Sequence, residues 1–477
     1  MKQSWIPILV IGLSLWWVAS ANAAPTLASI FGDNMILQQG RSVPVWGWAE
    51  PQCVVTVRFA GQKRPARADA NGRWSVNLSD VAATFTPQTL VVEAGETKTC
   101  TNILVGEVWL ASGQSNMEKP VGLQPGQKPV FDYERELAAA NFPNIRLFTA
   151  QHALSPTPRA NLERSSGWCE CSPATLDFLR FSAVAYFFGR EIHTNLHVPV
   201  GVIESTWGGT RIEPWTPAPA GRAALVNSEA DAMSETTPSA IYNAMIAPLT
   251  GFAVRGALWY QGENNYGDTN YDTKMEALVG AWRNRWDEGA FPFYFVQIAP
   301  YTYVKDPARY DAEANPLPVF WAQQSRAARR IKNCGMVVTT DLVDDVNDVH
   351  PRDKASVGHR LALLALDKTY KRKVICEGPV FQSMRVAGQA AILTFKHAES
   401  GLASKDGKPL TWFELAGADG RFVPAEARIV GRTVEVSAAG VEKPLAVRFA
   451  WSQVAQPNFC NGASLPAEPF SAQTPAE

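Results

Sequence analysis

Net charge is what this sequence most lacks. Its 477 residues set 44 Lys and Arg against 45 Asp and Glu, a formal charge of −1. That balance offers no electrostatic reason to expect nucleic acid or an anionic membrane as partner. Long apolar runs are missing beyond the first two dozen residues, so no later stretch reaches the roughly 20 residues that a bilayer span takes. No internal repeat is present. Histidine is scarce, with six in the chain. His193 and His197 lie four apart, but no carboxylate or third ligand joins them in an H-E-x-x-H pattern, so no metal set stands out. Cysteines number seven, an odd count that cannot pair completely. Cys169-Glu170-Cys171 is too tight for a zinc pair without partners nearby. Cys53 and Cys100 form a plausible bridge within one small domain.

A chain of this length with 46% hydrophobic residues can bury a large core, and it is longer than a single domain usually runs. Its start reads as a signal peptide over residues 1–24. Lys2 is the positive n-region, Trp5 to Val18 a short apolar stretch, and Ala21-Asn22-Ala23 a small-x-small cleavage site. An exported, periplasmic or secreted protein is expected, with no membrane span in the mature chain.

Residues 25–103 read as a small β-sandwich-like domain. Val43 to Trp48 and Val54 to Phe59 are strands, Asn71-Gly72 is a turn, and Trp74 to Leu78 alternates as a half-buried strand does. From 104 to 371 strands alternate with helices. The strand candidates are Val105 to Leu110, Ile145 to Phe148, Val198 to Ile203, Val254 to Tyr260, Phe293 to Ile298 and Met336 to Thr340. The clearest helix is 182–196, with Val184, Phe187, Phe188, Ile192 and Leu196 on one face. This alternation predicts an α/β fold, a parallel sheet with helices on both sides, and places function in loops at the carboxyl ends of the strands. From 372 to 477 a C-terminal β-domain follows, with strands at Phe422 to Ala427, Arg432 to Ser437 and Leu445 to Trp451.

Four loops at that carboxyl edge carry chemistry. The first α/β strand runs into Ser112-Gly113-Gln114-Ser115-Asn116-Met117-Glu118, where a serine is exposed for attack; Met117 departs from the G-x-S-x-G elbow. A serine nucleophile needs a base, and His350 follows the last strand in a loop with Asp341, Asp344, Asp345 and Asp348. Trp207-Gly208-Gly209-Thr210-Arg211 offers paired glycines whose amides can approach an oxyanion. Trp259-Tyr260-Gln261-Gly262-Glu263-Asn264 adds side-chain amides, one such donor being worth about 2.7–4 kcal/mol in a transition state.

Taken together, these segments resemble the sialate O-acetylesterase-like, carbohydrate-esterase branch of the SGNH hydrolases. The resemblance rests on Gly106-Glu-Val-Trp-Leu-Ala-Ser-Gly-Gln-Ser115-Asn-Met-Glu118, Trp207-Gly-Gly-Thr-Arg-Ile-Glu-Pro-Trp215, Tyr242-Asn-Ala-Met-Ile-Ala-Pro248, Trp259-Tyr-Gln-Gly-Glu-Asn264 and His350-Pro-Arg-Asp-Lys354. Asp33 to Gln38 and Val45 to Trp48 extend it to the front of the chain, and Pro444 to Trp451, Leu465-Pro466 and Pro469-Phe470 to the tail. The resemblance implies an SGNH (flavodoxin-like) hydrolase domain with Ser115 as nucleophile and His350 as base. The implied oxyanion donors are Ser115, Gly208 or Gly209, and a side chain among Gln261 to Asn264. Asn347 stands where the general pattern has Asp, so the orienting acid is read as Asp348, with Asp345 or a backbone carbonyl as alternatives. Gln114, Asn116, Trp207, Arg211, Trp259 and Glu263 are candidate substrate contacts. No metal or organic cofactor is implied. The expected activity removes O-acetyl groups from an acetylated oligosaccharide or sialic acid through an acetyl-serine. The alternatives are an acetylxylan or acetyl-xyloglucan esterase acting on plant cell-wall oligosaccharides and, from another class, a non-catalytic carbohydrate-binding protein.

Overall fold

A computed structural model describes residues 24–218, 233–306 and 316–473. The expected signal peptide, but for Ala24, lies outside them. Among the described residues no helix is long and apolar enough to cross a membrane.

The architecture is mixed α/β, with one large mixed sheet and further β-sheets at both ends of the chain. The large sheet is organised around β1 (Glu96–Gly113). The front half of β1 pairs antiparallel with Thr84–Ala94 and parallel with Ile36–Gln38. Its back half pairs parallel on both sides. Residues 104–113 are buried throughout, as expected for a strand covered on two faces. The front β-layers therefore share a strand with the central sheet, and a separate three-stranded sheet (Thr26–Leu27, Val43–Trp48, Arg73–Leu78) completes the front of the molecule.

The other central strands are β2 (Phe142–Ala150), β3 (Ser165–Cys171), β4 (Val200–Thr206), β5 (Gly256–Tyr260), β6 (Phe293–Val296) and β7 (Cys334–Val337), in the order β3-β2-β4-β1-β5-β6-β7. Every neighbouring pair is parallel except β3 with β2. Each strand expected in this region is present within a few residues. The antiparallel edge strand β3 was not expected, because Ser165-Ser166-Gly167 and two cysteines give it little apolar alternation.

Alternate residues along the strands feed two cores. Val108, Leu110, Ala257, Trp259, Phe293 and Phe295 face the helices Tyr271–Trp286 and Pro316–Arg330. Trp109, Ala111, Leu258, Tyr260 and Tyr294 face the helices Ala183–Leu196 and Lys354–Leu364. Ser182 caps the helix Ala183–Leu196 by accepting the Ala185 N–H, and the helix buries Val184, Phe187, Phe188 and Ile192 against the sheet.

The C-terminal segment forms two four-stranded antiparallel sheets and a two-stranded one around Phe395, Phe413, Phe449, Phe459 and Phe470. The expected strand Phe422 to Ala427 divides into Phe422–Pro424 and Glu426–Val430, which join different sheets. Pro424 cannot donate to a ladder, so one continuous central strand is excluded there.

All seven cysteines are free thiols, and the plausible Cys53–Cys100 bridge is not formed. The register explains it: Cys100 lies opposite Leu90, whereas the pairing of Thr56 with Glu93 carries Cys53 toward the far end of that strand.

Candidate active site

Strand β1 ends at Gly113, whose φ of +140° is open to glycine. A Cβ there would stand 2.2 Å from the Tyr260 carbonyl oxygen, so the two strand ends approach as closely as the backbones allow. The Gln114 N–H donates to the Tyr260 carbonyl, and the chain then makes the helical turn Ser115–Glu118. That turn lifts Ser115 out of the sheet while Asn116 and Met117 stay buried.

His350 arrives from the loop after β7. Its Nε2 lies 2.9 Å from Ser115 Oγ, hydrogen-bond distance for a nucleophile and its base. The imidazole is largely buried and its pKa falls to about 4, first through burial, then through the Lys354 and Lys119 cations. It is therefore neutral, the form in which a base accepts a proton, throughout the neutral range.

Asp348 is beside His350 but does not form a close side-chain pair with it. Its Oδ1 accepts the His350 backbone N–H at 2.9 Å and stands 4.0 Å from Nδ1. Asp345 points elsewhere: it pairs with Lys128 at 2.9 Å and accepts the Asn347 N–H.

A polar lattice beneath the serine ties the loops together. The Asn116 amide donates to Glu263 and, at 3.0 Å, to the Val349 carbonyl, and its Oδ1 accepts from Lys354 Nζ at 2.6 Å. Asn116, the residue after Ser115, is thus tied to Val349, the residue before His350. Burial pushes the Lys354 pKa down to about 7 and raises that of Glu263. Glu263 Oε2 is buried without a partner among the described residues.

Several expected contacts take other places. Trp259 is wholly buried, edge-on to Trp215 and Trp282, and has no surface to offer a sugar. Gln261 is also wholly buried, and its amide nitrogen faces Gln114 Oε1, the Thr210 carbonyl and Asn265 Oδ1, so it is no oxyanion donor. Gln114 Oε1 accepts from Gln261, Gly262 and Asn264, and Asn116 is consumed as described; both hold loops instead of facing a ligand. Arg211 pairs with Asp268 at 3.0 Å and donates to the Asn264 carbonyl.

Trp207, Gly208, Gly209 and Asn264 do gather beside Ser115. The Trp207 N–H donates to the Gly113 carbonyl, and Asn264 Nδ2 donates to the Gly209 carbonyl. A Cβ built on Gly208 would stand 3.3 Å from the Ser115 Cβ, which measures how near this loop comes.

Two residues to which the sequence reading gave no role also lie here. Glu118 accepts the Gly208 N–H at 2.7 Å, and its other oxygen lies 2.9 Å from His152 Nε2. The His152 ring stacks flat on Trp207, 4.3 Å between centroids at 3°. His152 comes from the loop after β2 with no motif around it, so no sequence signal could have found it; Glu118 closes the serine motif. Among the described residues no group of three His, Cys, Asp or Glu side chains is placed to hold a metal.

Residues 105–367, more than half the chain, match the family described as carbohydrate esterase, sialic acid-specific acetylesterase. The sialate O-acetylesterase of Pongo abelii is 29% identical, the alignment covering 97% of this chain and 95% of that one. That of Homo sapiens is 28% identical with the same coverage, 97% and 95%. Among solved structures, a carbohydrate acetylesterase from Xanthomonas citri is 34% identical, with a TM-score of 0.85 over 94% of this chain and 100% of that one. The chain belongs to the carbohydrate esterase family of sialic acid-specific acetylesterases and is an ester hydrolase.

Proposed function

We propose that this esterase removes O-acetyl groups from carbohydrates by a serine mechanism in an SGNH-type domain. The observation that carries the reading is the 2.9 Å contact between Ser115 Oγ and the buried, neutral His350. With the β2–β3 edge pair set aside, the strands β4-β1-β5-β6-β7 follow the flavodoxin-like order 2-1-3-4-5, and Ser115 sits at the switch point beside β1.

His350 takes the proton from Ser115 as Oγ attacks the acetyl carbonyl. Collapse of the tetrahedral intermediate breaks the ester bond, and His350 returns the proton to the departing sugar oxygen. Water, deprotonated by the same imidazole, then attacks the acetyl-serine; the Oγ–acyl bond breaks, acetate leaves and His350 returns the proton to Ser115 Oγ. The amides of Ser115, Gly208 and Gly209 and the second N–H of Asn264 are the donors for the oxyanion. Asp348 orients His350 through its backbone N–H. The stacked Trp207–His152 pair is a flat face for a sugar ring.

Acetate release from 9-O-acetyl sialic acid and from acetylated xylan or xyloglucan oligosaccharides, for wild type and Ser115→Ala, tests the reading. Release from one class, abolished in the variant, supports it and names the substrate. No release from any acetylated sugar or simple acetyl ester sinks it and leaves a carbohydrate-binding protein.

A further inference from the structure

The Gly208 amide is already holding an anion, and that anion belongs to the protein. Glu118 lies one helical turn after Ser115, and its Oε2 accepts the Gly208 N–H at 2.7 Å. An amide has one hydrogen. The carboxylate and a substrate oxyanion therefore cannot both take it, and two negative charges at one donor repel each other.

The surroundings give the carboxylate somewhere to go. Its Oε1 faces His152 Nε2 at 2.9 Å, and the Glu118 side chain is 27% exposed. Beside it opens a cleft of about 380 Å³, bordered by His152, Thr149, Arg164 and Arg180. A rotation away from Gly208 turns the carboxylate into this cleft, which the two arginines line together with the buried carboxyl of Glu204, and leaves the amide bare.

We propose that Glu118 is a resident stand-in for the oxyanion. In the free enzyme it closes the Gly208 donor. Productive binding of a sugar across the Trp207–His152 face displaces it toward the cleft, which completes the oxyanion site only when a substrate is seated. Glu118 is thus a positioning residue acting through Gly208, and this rests on the reading of Ser115 as nucleophile and Gly208 as donor.

Phenylboronic acid tests it directly. Ser115 Oγ forms a bond to boron, its proton passes to His350, and the boron becomes a tetrahedral anion that retains both hydroxyls. Dissociation constants are measured for wild type, Glu118→Gln, Glu118→Ala and Ser115→Ala, with melting temperatures as the check on folding. Removing a competing anion from an oxyanion donor predicts tighter adducts in both Glu118 variants, by on the order of tenfold in Glu118→Ala and by less in Glu118→Gln, which relieves the charge repulsion but still occupies the amide. Glu118→Gln keeps an acceptor for Gly208 and guards against collapse of the loop. Equal or weaker affinity in well-folded variants overturns the proposal and makes Glu118 a strut for the loop. No Ser115-dependent adduct in any form overturns the nucleophile reading itself, and the role of Glu118 with it. An adduct in wild type without gain in the variants removes only the latter.

Discussion

Lys354→Met isolates the electrostatic half of what keeps His350 neutral. The imidazole pKa stands at about 4, against an ordinary 6.5, with burial first among the causes and the Lys354 and Lys119 cations next. That gap of about 2.5 corresponds to roughly 3.4 kcal/mol favouring the neutral ring, at about 1.36 kcal/mol per pKa unit. Lys354 itself titrates at about 7, so it is charged throughout the acidic range in which His350 protonates. Methionine keeps the length of the stem beside the Tyr260 ring, over which the ammonium sits at 5.2 Å, and removes the charge. Burial persists in the variant, so the pKa rises only part of the way to 6.5, by about one unit, or ~1.4 kcal/mol. The sign follows from the base needing a free lone pair: a higher pKa moves the acid limb of kcat/KM to higher pH. The assay is hydrolysis of 4-nitrophenyl acetate from pH 3.5 to 8, with residual activity at neutral pH checked after each incubation. Wild type is expected to hold its rate down to near pH 4, and the variant to lose it about one pH unit earlier. An unmoved limb, or one displaced to lower pH, refutes the assignment of Lys354 to His350.

Two further outcomes are expected. Asn116→Ala cuts the tie between the Ser115 and His350 loops, and because the geometry of the pair suffers more than substrate binding, kcat falls about 100-fold with little change in KM; steady-state kinetics on an acetyl ester check it, and a pure KM effect contradicts it. Glu204 is fully buried, accepts the Ser182 N–H and has its pKa raised by burial to about 8. Its stability contribution is whole below the ordinary carboxylate pKa and is lost as pH rises through about 8. Glu204→Gln should therefore melt above wild type at pH 9 and show no such advantage at pH 5, by calorimetry.

The meeting of Ser115 and His350 was legible in the sequence because candidate nucleophiles and bases are recognisable residue types. Ser115 follows an apolar strand, and His350 stands in a loop with four aspartates, so chemistry and order along the chain both pointed there. Trp259 and Gln261 were misplaced for the same local reason. They belong to the loop that faces the serine, but a tryptophan next to a functional loop reads alike whether it turns outward or into the Trp215–Trp282 core. His152 had no signal, since its partner Glu118 is 34 residues away and the two meet only because β2 lies beyond β4 from β1.

By itself the sequence determined the period of the parallel strands of the central sheet, the alternation that puts helices on both faces of that sheet, and the candidate residues for acyl transfer. These are local properties, carried by side-chain spacing over a handful of positions. Only the tertiary structure decided which groups meet and in what state: the neutral His350 between two lysines, Asn116 bridging two loops, and Glu118 on the Gly208 amide. Charge, burial and hydrogen-bond competition depend on neighbours brought together from distant segments, and no window of sequence contains them.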